Sequence, residues 1–155
     1  MYSYSSEALK DWGGKIDVIT GFDVIEHVYE PGDFVADIYE LLVKGGKCVI
    51  GTPTDYPILR EMLGDSFNKF LFQVPHPWIF SEKSLKKMFE DAGFSKVDIV
   101  VTQKYGLGNL LAWLNDKAPR GNITYPFISP ALDALYKEEM AANGYGEYIT
   151  VYAEK

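Results

Sequence analysis

The chain predicts an α/β layer fold, and three observations carry that prediction. Short β-branched runs recur along its 155 residues, stripes of apolar residues at helical spacing lie between them, and glycines and prolines sit at the junctions. The first run, Ile16 to Thr20, holds a lone acid and reads as a buried strand. Pro31 then opens a helix with Phe34, Val35, Ile38, Leu41 and Leu42 on one face. Gly45-Gly46 is expected to end that helix, because a left-handed C-terminal cap favours a residue without Cβ. Lys47 to Gly51 is the next strand, stopped by Pro53, which cannot donate to a ladder. Strand, helix and strand in so short a span form a βαβ unit, which implies parallel strands and a right-handed crossover.

Tyr56 to Phe80 is aromatic and irregular, with a short helix expected from Ile58 to Leu63. Ser81 is placed to cap a helix carrying Leu85, Met88, Phe89 and Ala92 on one side and closed by Gly93. Val97 to Thr102 reads as a third strand. Leu107, Leu110, Leu111 and Leu114 form a helical stripe that ends before Pro119 and is expected to be core. Ser129-Pro130 starts a helix through Ala142, with the capping serine and first-turn proline in favoured places. Glu147 to Ala153 closes the chain as a fourth strand. The expectation is a single domain over residues 1–155, with a helical insertion over 105–142 between the last two strands.

Composition narrows the function classes. Hydrophobic residues make up 47% and charged residues 24%, an ordinary globular balance. A net charge of -7 without a basic stripe argues against nucleic acid and against anionic membranes as partners. No apolar run approaches the ~20 residues of a bilayer span, and the polar first dozen residues do not form a signal peptide. The single cysteine, Cys48, sits in a strand pattern where packing is its expected role, and points to a cytoplasmic setting.

Two places carry chemistry. Asp23, Glu26 and His27 stand at i, i+3 and i+4, so a helical turn would put all three on one face. Such a set can hold a divalent cation, or His27 can take a proton from a hydroxyl near neutral pH. The plainer alternative is a solvated first turn whose acids favour a helix N-terminus. The second place is Val74-Pro75-His76-Pro77-Trp78, amid Tyr56, Phe67, Phe70, Phe72 and Phe80. Tyr56, His76 and Trp78 would line a flat apolar acceptor pocket, unless these rings are a small aromatic core under a loop. The stretch Tyr105 to Pro130, with Trp113, is expected to cap that pocket or to serve a dimer contact.

Four segments together resemble a known family. Ile16-Asp17-Val18-Ile19 followed by Phe22-Asp23-Val24-Ile25-Glu26-His27-Val28, then Leu42-Val43-Lys44-Gly45-Gly46 with Thr52-Pro53, then Phe80-Ser81-Glu82-Lys83-Ser84-Leu85, then Ala92-Gly93-Phe94, resemble a class I S-adenosylmethionine-dependent methyltransferase from its fourth strand onward. The resemblance is clear over about residues 15 to 104 and weaker beyond. It implies part of a doubly wound, Rossmann-like sheet of about four strands with flanking helices. It also implies S-adenosylmethionine over the carboxyl ends of the strands, with Gly21, Phe22 and Asp23 beside it. The reaction implied is methyl transfer to a small-molecule acceptor, with His27 aiding proton removal from a hydroxyl. Some ubiquinone-biosynthesis O-methyltransferases carry a constellation similar to Asp23, Glu26 and His27, which implies magnesium at those positions.

The family's glycine-rich cofactor loop has no counterpart here: no G-x-G-x-x-G occurs, and Gly106-Leu107-Gly108 is followed by no third glycine. The chain alone is therefore expected to bind S-adenosylmethionine weakly and to be inactive by itself. The alternative, from a different class, is a non-catalytic interaction or dimerisation module derived from a methyltransferase fold. Without a neighbour, the strand at residues 16–20 would be an exposed apolar edge. It is expected to be hidden by a homodimer, by a partner chain, or by Tyr2 to Trp12 folding back.

Overall fold

The structure, a computed structural model, describes residues 5–71 and 76–155. Strands β1 (Ile16–Phe22), β2 (Leu42–Pro53), β3 (Lys96–Thr102) and β4 (Tyr148–Glu154) form one sheet in the order β1-β2-β4-β3. β1 and β2 are parallel, while β4 enters between β2 and β3 and is antiparallel to both. The helices are α1 (Ser5–Trp12), α2 (Pro31–Leu41), α3 (Pro57–Leu63), α4 (Asp65–Leu71), α5 (Glu82–Asp91), α6 (Leu107–Asp116) and α7 (Pro130–Ala142). A 3-10 turn covers Ile25–His27. The expected α/β class, with four strands and flanking helices, is the fold observed.

The glycine pair does not cap α2. The helix ends at Leu41, and Leu42 turns extended while its N–H still donates to Ile38 O and Tyr39 O. Pairing with β1 wins over a glycine cap: Leu42 is already in register with Ile16, so the ladder takes the chain at once. The register then shifts between Ile16 and Val18, and the glycines absorb the extra residues. Gly45 has φ +78°, and a Cβ on Gly46 would lie 2.9 Å from Val43 O and 3.2 Å from Ile16 O.

The main core lies between one face of the sheet and the helices α2 and α5. Cys48, Ile50, Ile149, Val151 and Ala153 meet Val35, Ile38, Leu85 and Phe89, with Ile19, Val97, Ile99 and Val101 at its margin. Each large side chain fully buried there contributes about 1.5–3 kcal/mol. Burial pushes the Cys48 thiol up to about 12, so it packs as an inert hydrophobe. Ser81 caps α5 as expected, accepting from Ser84 N–H at 3.2 Å while Ser84 Oγ accepts from Ser81 N–H at 3.0 Å.

A second core joins Leu59, Leu63, Phe67, Leu71 and Trp113. It forms because α4, which no sequence signal announced, brings Phe67 and Phe70 against Trp113 at ring distances of 5.1 and 4.8 Å. Trp113 is therefore buried core and not a pocket cap. Its helix buries Gly108, Asn109, Ala112 and Trp113, whereas Leu107, Leu110, Leu111 and Leu114 are only half-buried. Leu110 and Leu114 nevertheless pack against this core, on the same face of the helix as Trp113.

The N-terminal helix packs along α2, tied by Gly14 N–H to Glu40 O at 2.8 Å. Among the described residues no strand pairs with the outer edge of β1; Tyr2 lies outside them. No described helix is long and apolar enough to cross a membrane.

Candidate active site

The site lies at the carboxyl ends of β1 and β2. Asp23, the first residue after β1, sits in the left-handed region at φ +56°. A non-glycine residue held there costs about 1–3 kcal/mol, and two bonds hold it. Its N–H donates to Gly51 O at 2.9 Å, and its Oδ1 accepts from the Tyr148 hydroxyl at 3.0 Å. Gly51 must be bare for this to happen, because a Cβ would lie 2.6 Å from Phe22 Cδ1 and 2.7 Å from the Tyr148 hydroxyl. Phe22 and Tyr148 thus close over Gly51 on the face of the sheet opposite the core. Gly21 faces inward, toward Ile50.

This bend decides where the next acid points. The turn that follows is a 3-10 turn beginning at Ile25, not an α-helical turn beginning at Asp23. Glu26 is carried into the interior, 2% exposed, where its Oε2 accepts from Thr52 Oγ1 at 3.0 Å. Its other oxygen, Oε1, is buried and finds no hydrogen-bond partner among the described residues. His27 stays at the surface, and the third member of the group is His76. Ligand atoms of Glu26, His27 and His76 all lie within 4.8 Å of one another, and the two imidazole rings are 4.5 Å apart at 62°.

Two ties bring His76 to this place. Trp78 Nε1 donates to Tyr29 O at 3.2 Å, and Phe80 bridges to Thr54 beyond the end of β2. The sequence grouped Asp23 with Glu26 and His27, and the structure brings Glu26 and His27 together with His76 while Asp23 faces Tyr148. The stiff Pro-flanked histidine was visible in the sequence as a singular feature. Its distance along the chain hid its convergence on His27. Phe72 and Val74-Pro75 lie outside the described residues.

Tyr56 packs against Phe67 at 5.4 Å, with its N–H donating to Thr54 Oγ1 at 3.0 Å. Burial raises its phenol, as do the nearby acids Glu147, Asp23 and Glu26, so it stays protonated. Tyr148 is raised by burial and by its bond to Asp23. Around these rings the site gathers Asp23, Glu26 and Glu147, a local negative field that favours a cationic guest. Phe22, Tyr29 and Trp78 stand exposed at its rim.

Glu147 supplies a pH test. Burial raises its carboxyl above the usual range, against the opposing pull of the Tyr105 N–H, which donates to Oε2 at 3.2 Å. Its proton affinity is thus higher in the folded state than in the unfolded state. Stability is fullest below the ordinary carboxylate value and is lost as pH rises from there through the raised one. Glu147→Gln is expected to flatten that dependence and to raise Tm by about 2–4 °C at pH 7. Parallel melting curves for the two proteins from pH 4 to 8 would sink the assignment.

Comparison with known proteins decides the family. The methyltransferase domain family matches residues 3–99, more than half of the chain. This chain belongs to the methyltransferase domain family. Two curated relatives are ubiquinone biosynthesis O-methyltransferases, from Psychrobacter arcticus and Psychrobacter cryohalolentis. They are 31% and 30% identical over alignments of 105 residues that cover 61% of this chain and 41% of each relative. The methyltransferase chain therefore spans about two fifths of the length of the curated relatives it matches.

Solved structures agree on the fold. A SAM-dependent methyltransferase from Archaeoglobus fulgidus superposes with a TM-score of 0.63 at 18% identity, covering all of this chain and 66% of that one. Phosphoethanolamine N-methyltransferase 2 of Haemonchus contortus, solved with S-adenosyl-L-methionine, gives 0.56 at 15% identity, covering 92% of this chain and 34% of that one. These likenesses show that the methyltransferase chain shares their fold.

Proposed function

We propose that this methyltransferase chain serves S-adenosylmethionine-dependent methylation of a hydroxyl on a small molecule, and that it is incomplete and inactive alone. The observation that carries the reading is the convergence of Glu26, His27 and His76 at the carboxyl ends of two parallel strands, rimmed by Phe22, Tyr29 and Trp78. The names of the curated relatives, O-methyltransferases, support oxygen as the accepting atom.

In methyl transfer to oxygen, the sulfonium gives up its methyl group and the acceptor hydroxyl gives up a proton. The protein's share is alignment and a place for the proton. The exposed imidazole of His27 takes the proton, and His76 and Trp78 border the acceptor. Gly21, Phe22 and Asp23 lie where the sulfonium end of the cofactor would approach, and the negative field there suits its positive charge.

The residues also fit a divalent cation. As an alternative to His27 acting as the base, Glu26, His27 and His76 would hold the ion: their ligand atoms lie within 4.8 Å of one another, and one oxygen of the buried Glu26 has no hydrogen-bond partner among the described residues. One carboxylate and two imidazoles suit manganese, iron or zinc better than magnesium. Such an ion, when bound, lowers the pKa of a hydroxyl placed on it.

Incompleteness rests on the missing glycine-rich loop and on the short span of the relatives that is matched. Calorimetric titration with S-adenosylhomocysteine tests it, with oligomeric state read on the same sample. The expected result is no saturable heat up to about 1 mM ligand. Micromolar binding by this chain alone would refute the inactive-alone reading while leaving the reaction class standing.

A further inference from the structure

Helix α7 runs for 13 residues without burying one of them. Its inner side, with Asp133, Tyr136, Lys137 and Met140, is half-buried and lies toward α6 and β3. Its outer side presents Leu132 and Leu135, 43% and 52% exposed, followed by Glu138 and Ala142. Just ahead of the helix Phe127 stands 71% exposed, its ring stacked on Tyr125 at 5.5 Å and 18°. A helix this short is marginal by itself and draws its stability from packing an apolar face. One exposed leucine needs no explanation; two leucines and a ring in one segment mark a contact surface.

We propose that this face of α7 joins two copies of the chain, α7 lying antiparallel on the partner's α7 about a twofold axis midway between Leu132 and Leu135. The inference stands on α7 and is independent of the reaction assigned above.

Three observations select a second copy as the occupant. A twofold contact must match itself residue for residue, and this face does. With the axis so placed, Leu132 meets the partner's Leu135, and Leu135 meets the partner's Leu132. The same register brings Glu138 to the partner's Ser129, which caps the helix N-terminus. The helix dipole favours an acid there, and the contact occurs twice in the dimer. Charge agrees as well. The chain carries a net charge of -7, yet over residues 117–137 Lys117, Arg120 and Lys137 stand against Asp133 alone. Two copies therefore meet here with less repulsion than their net charge implies. An anionic membrane is the poorer occupant, because Glu138 lies on the same side as the leucines.

Sedimentation equilibrium of the chain over about 5–500 µM tests the proposal. A monomer–dimer equilibrium with a dissociation constant on the order of 10–100 µM is expected, the range of a small interface. Leu132→Glu should weaken it at least ~10-fold, by setting a carboxylate against the partner's Leu135. Adding Leu135→Lys to that variant should tighten it again by at least ~5-fold, since each new acid then faces the partner's new lysine. Leu135→Lys alone completes the cycle. Both leucines are exposed in the monomer, so the dilute variants should melt within about 2 °C of the parent, which separates lost pairing from lost folding. A chain that stays monomeric to the highest concentration overturns the proposal and leaves the face to another kind of occupant. A dimer that Leu132→Glu leaves intact overturns it too, because the copies then meet elsewhere. A double variant no tighter than Leu132→Glu alone overturns the antiparallel register.

Discussion

Phe67→Ala is expected to cost about 3–5 kcal/mol, because its ring is buried and its removal leaves a cavity among other aromatic rings. Phe67 lies at the centre of the second core, with ring distances of 5.4 Å to Tyr56, 6.1 Å to Phe70 and 5.1 Å to Trp113. Its removal takes away one of the ring contacts that join α4 to α6 and leaves that of Phe70 with Trp113. The loss should fall unevenly, since the main core is built from other residues. Amides in α3, α4 and α6 should lose protection first, while β2 and β4 keep theirs. Hydrogen exchange read against a thermal melt measures both quantities. A uniform loss across sheet and helices would mean that the two cores unfold as one unit.

Glu26→Gln should raise stability and remove cation binding in the same variant. The carboxylate is 2% exposed, one oxygen accepts from Thr52, and the other has no hydrogen-bond partner among the described residues. An unsatisfied buried polar atom costs about 1–3 kcal/mol, more when the group is charged. A glutamine keeps an oxygen for Thr52 and sheds the charge, so a gain of about 1–2 kcal/mol in the presence of EDTA is expected. The same change removes the anionic ligand, and manganese affinity should fall at least ~100-fold, beyond the loss usual for outer-sphere changes. Thermal melts in EDTA and manganese titration decide it. A variant that melts below the parent in EDTA would make Glu26 a structural residue and remove the physical case for a cation site.

Stability and function pull apart at this position, as they do where an active site holds groups that the fold alone would not choose. Asp23 shows the same tension: a left-handed backbone is kept by the Tyr148 hydroxyl, which comes from a strand 125 residues later in the chain. That bond was invisible in the sequence because nothing local marks Tyr148. What could be read locally was Gly51, whose need for a bare Cα follows only once Phe22 and Tyr148 are placed on either side.

The sequence by itself determined the elements whose signals are local. Periodicity placed the strands at Ile16, Val97 and Glu147, proline placed the starts of α2 and α7, and the Ser81 cap placed α5, because each depends on residues within a turn or two. Glu26 and His27 were legible as a chemical pair for the same reason. Tertiary structure alone decided the rest. Strand pairing overrode the glycine cap after α2, because a ladder with β1 was available at Leu42. Ring packing made Trp113 the buried centre of α6, with Leu110 and Leu114 at the margin of the same core. Loop ties at Tyr29 and Thr54 delivered His76 to His27 across 49 residues. Which side each strand residue faces was likewise decided only when β4 took its antiparallel place between β2 and β3, since it is set by register with distant strands.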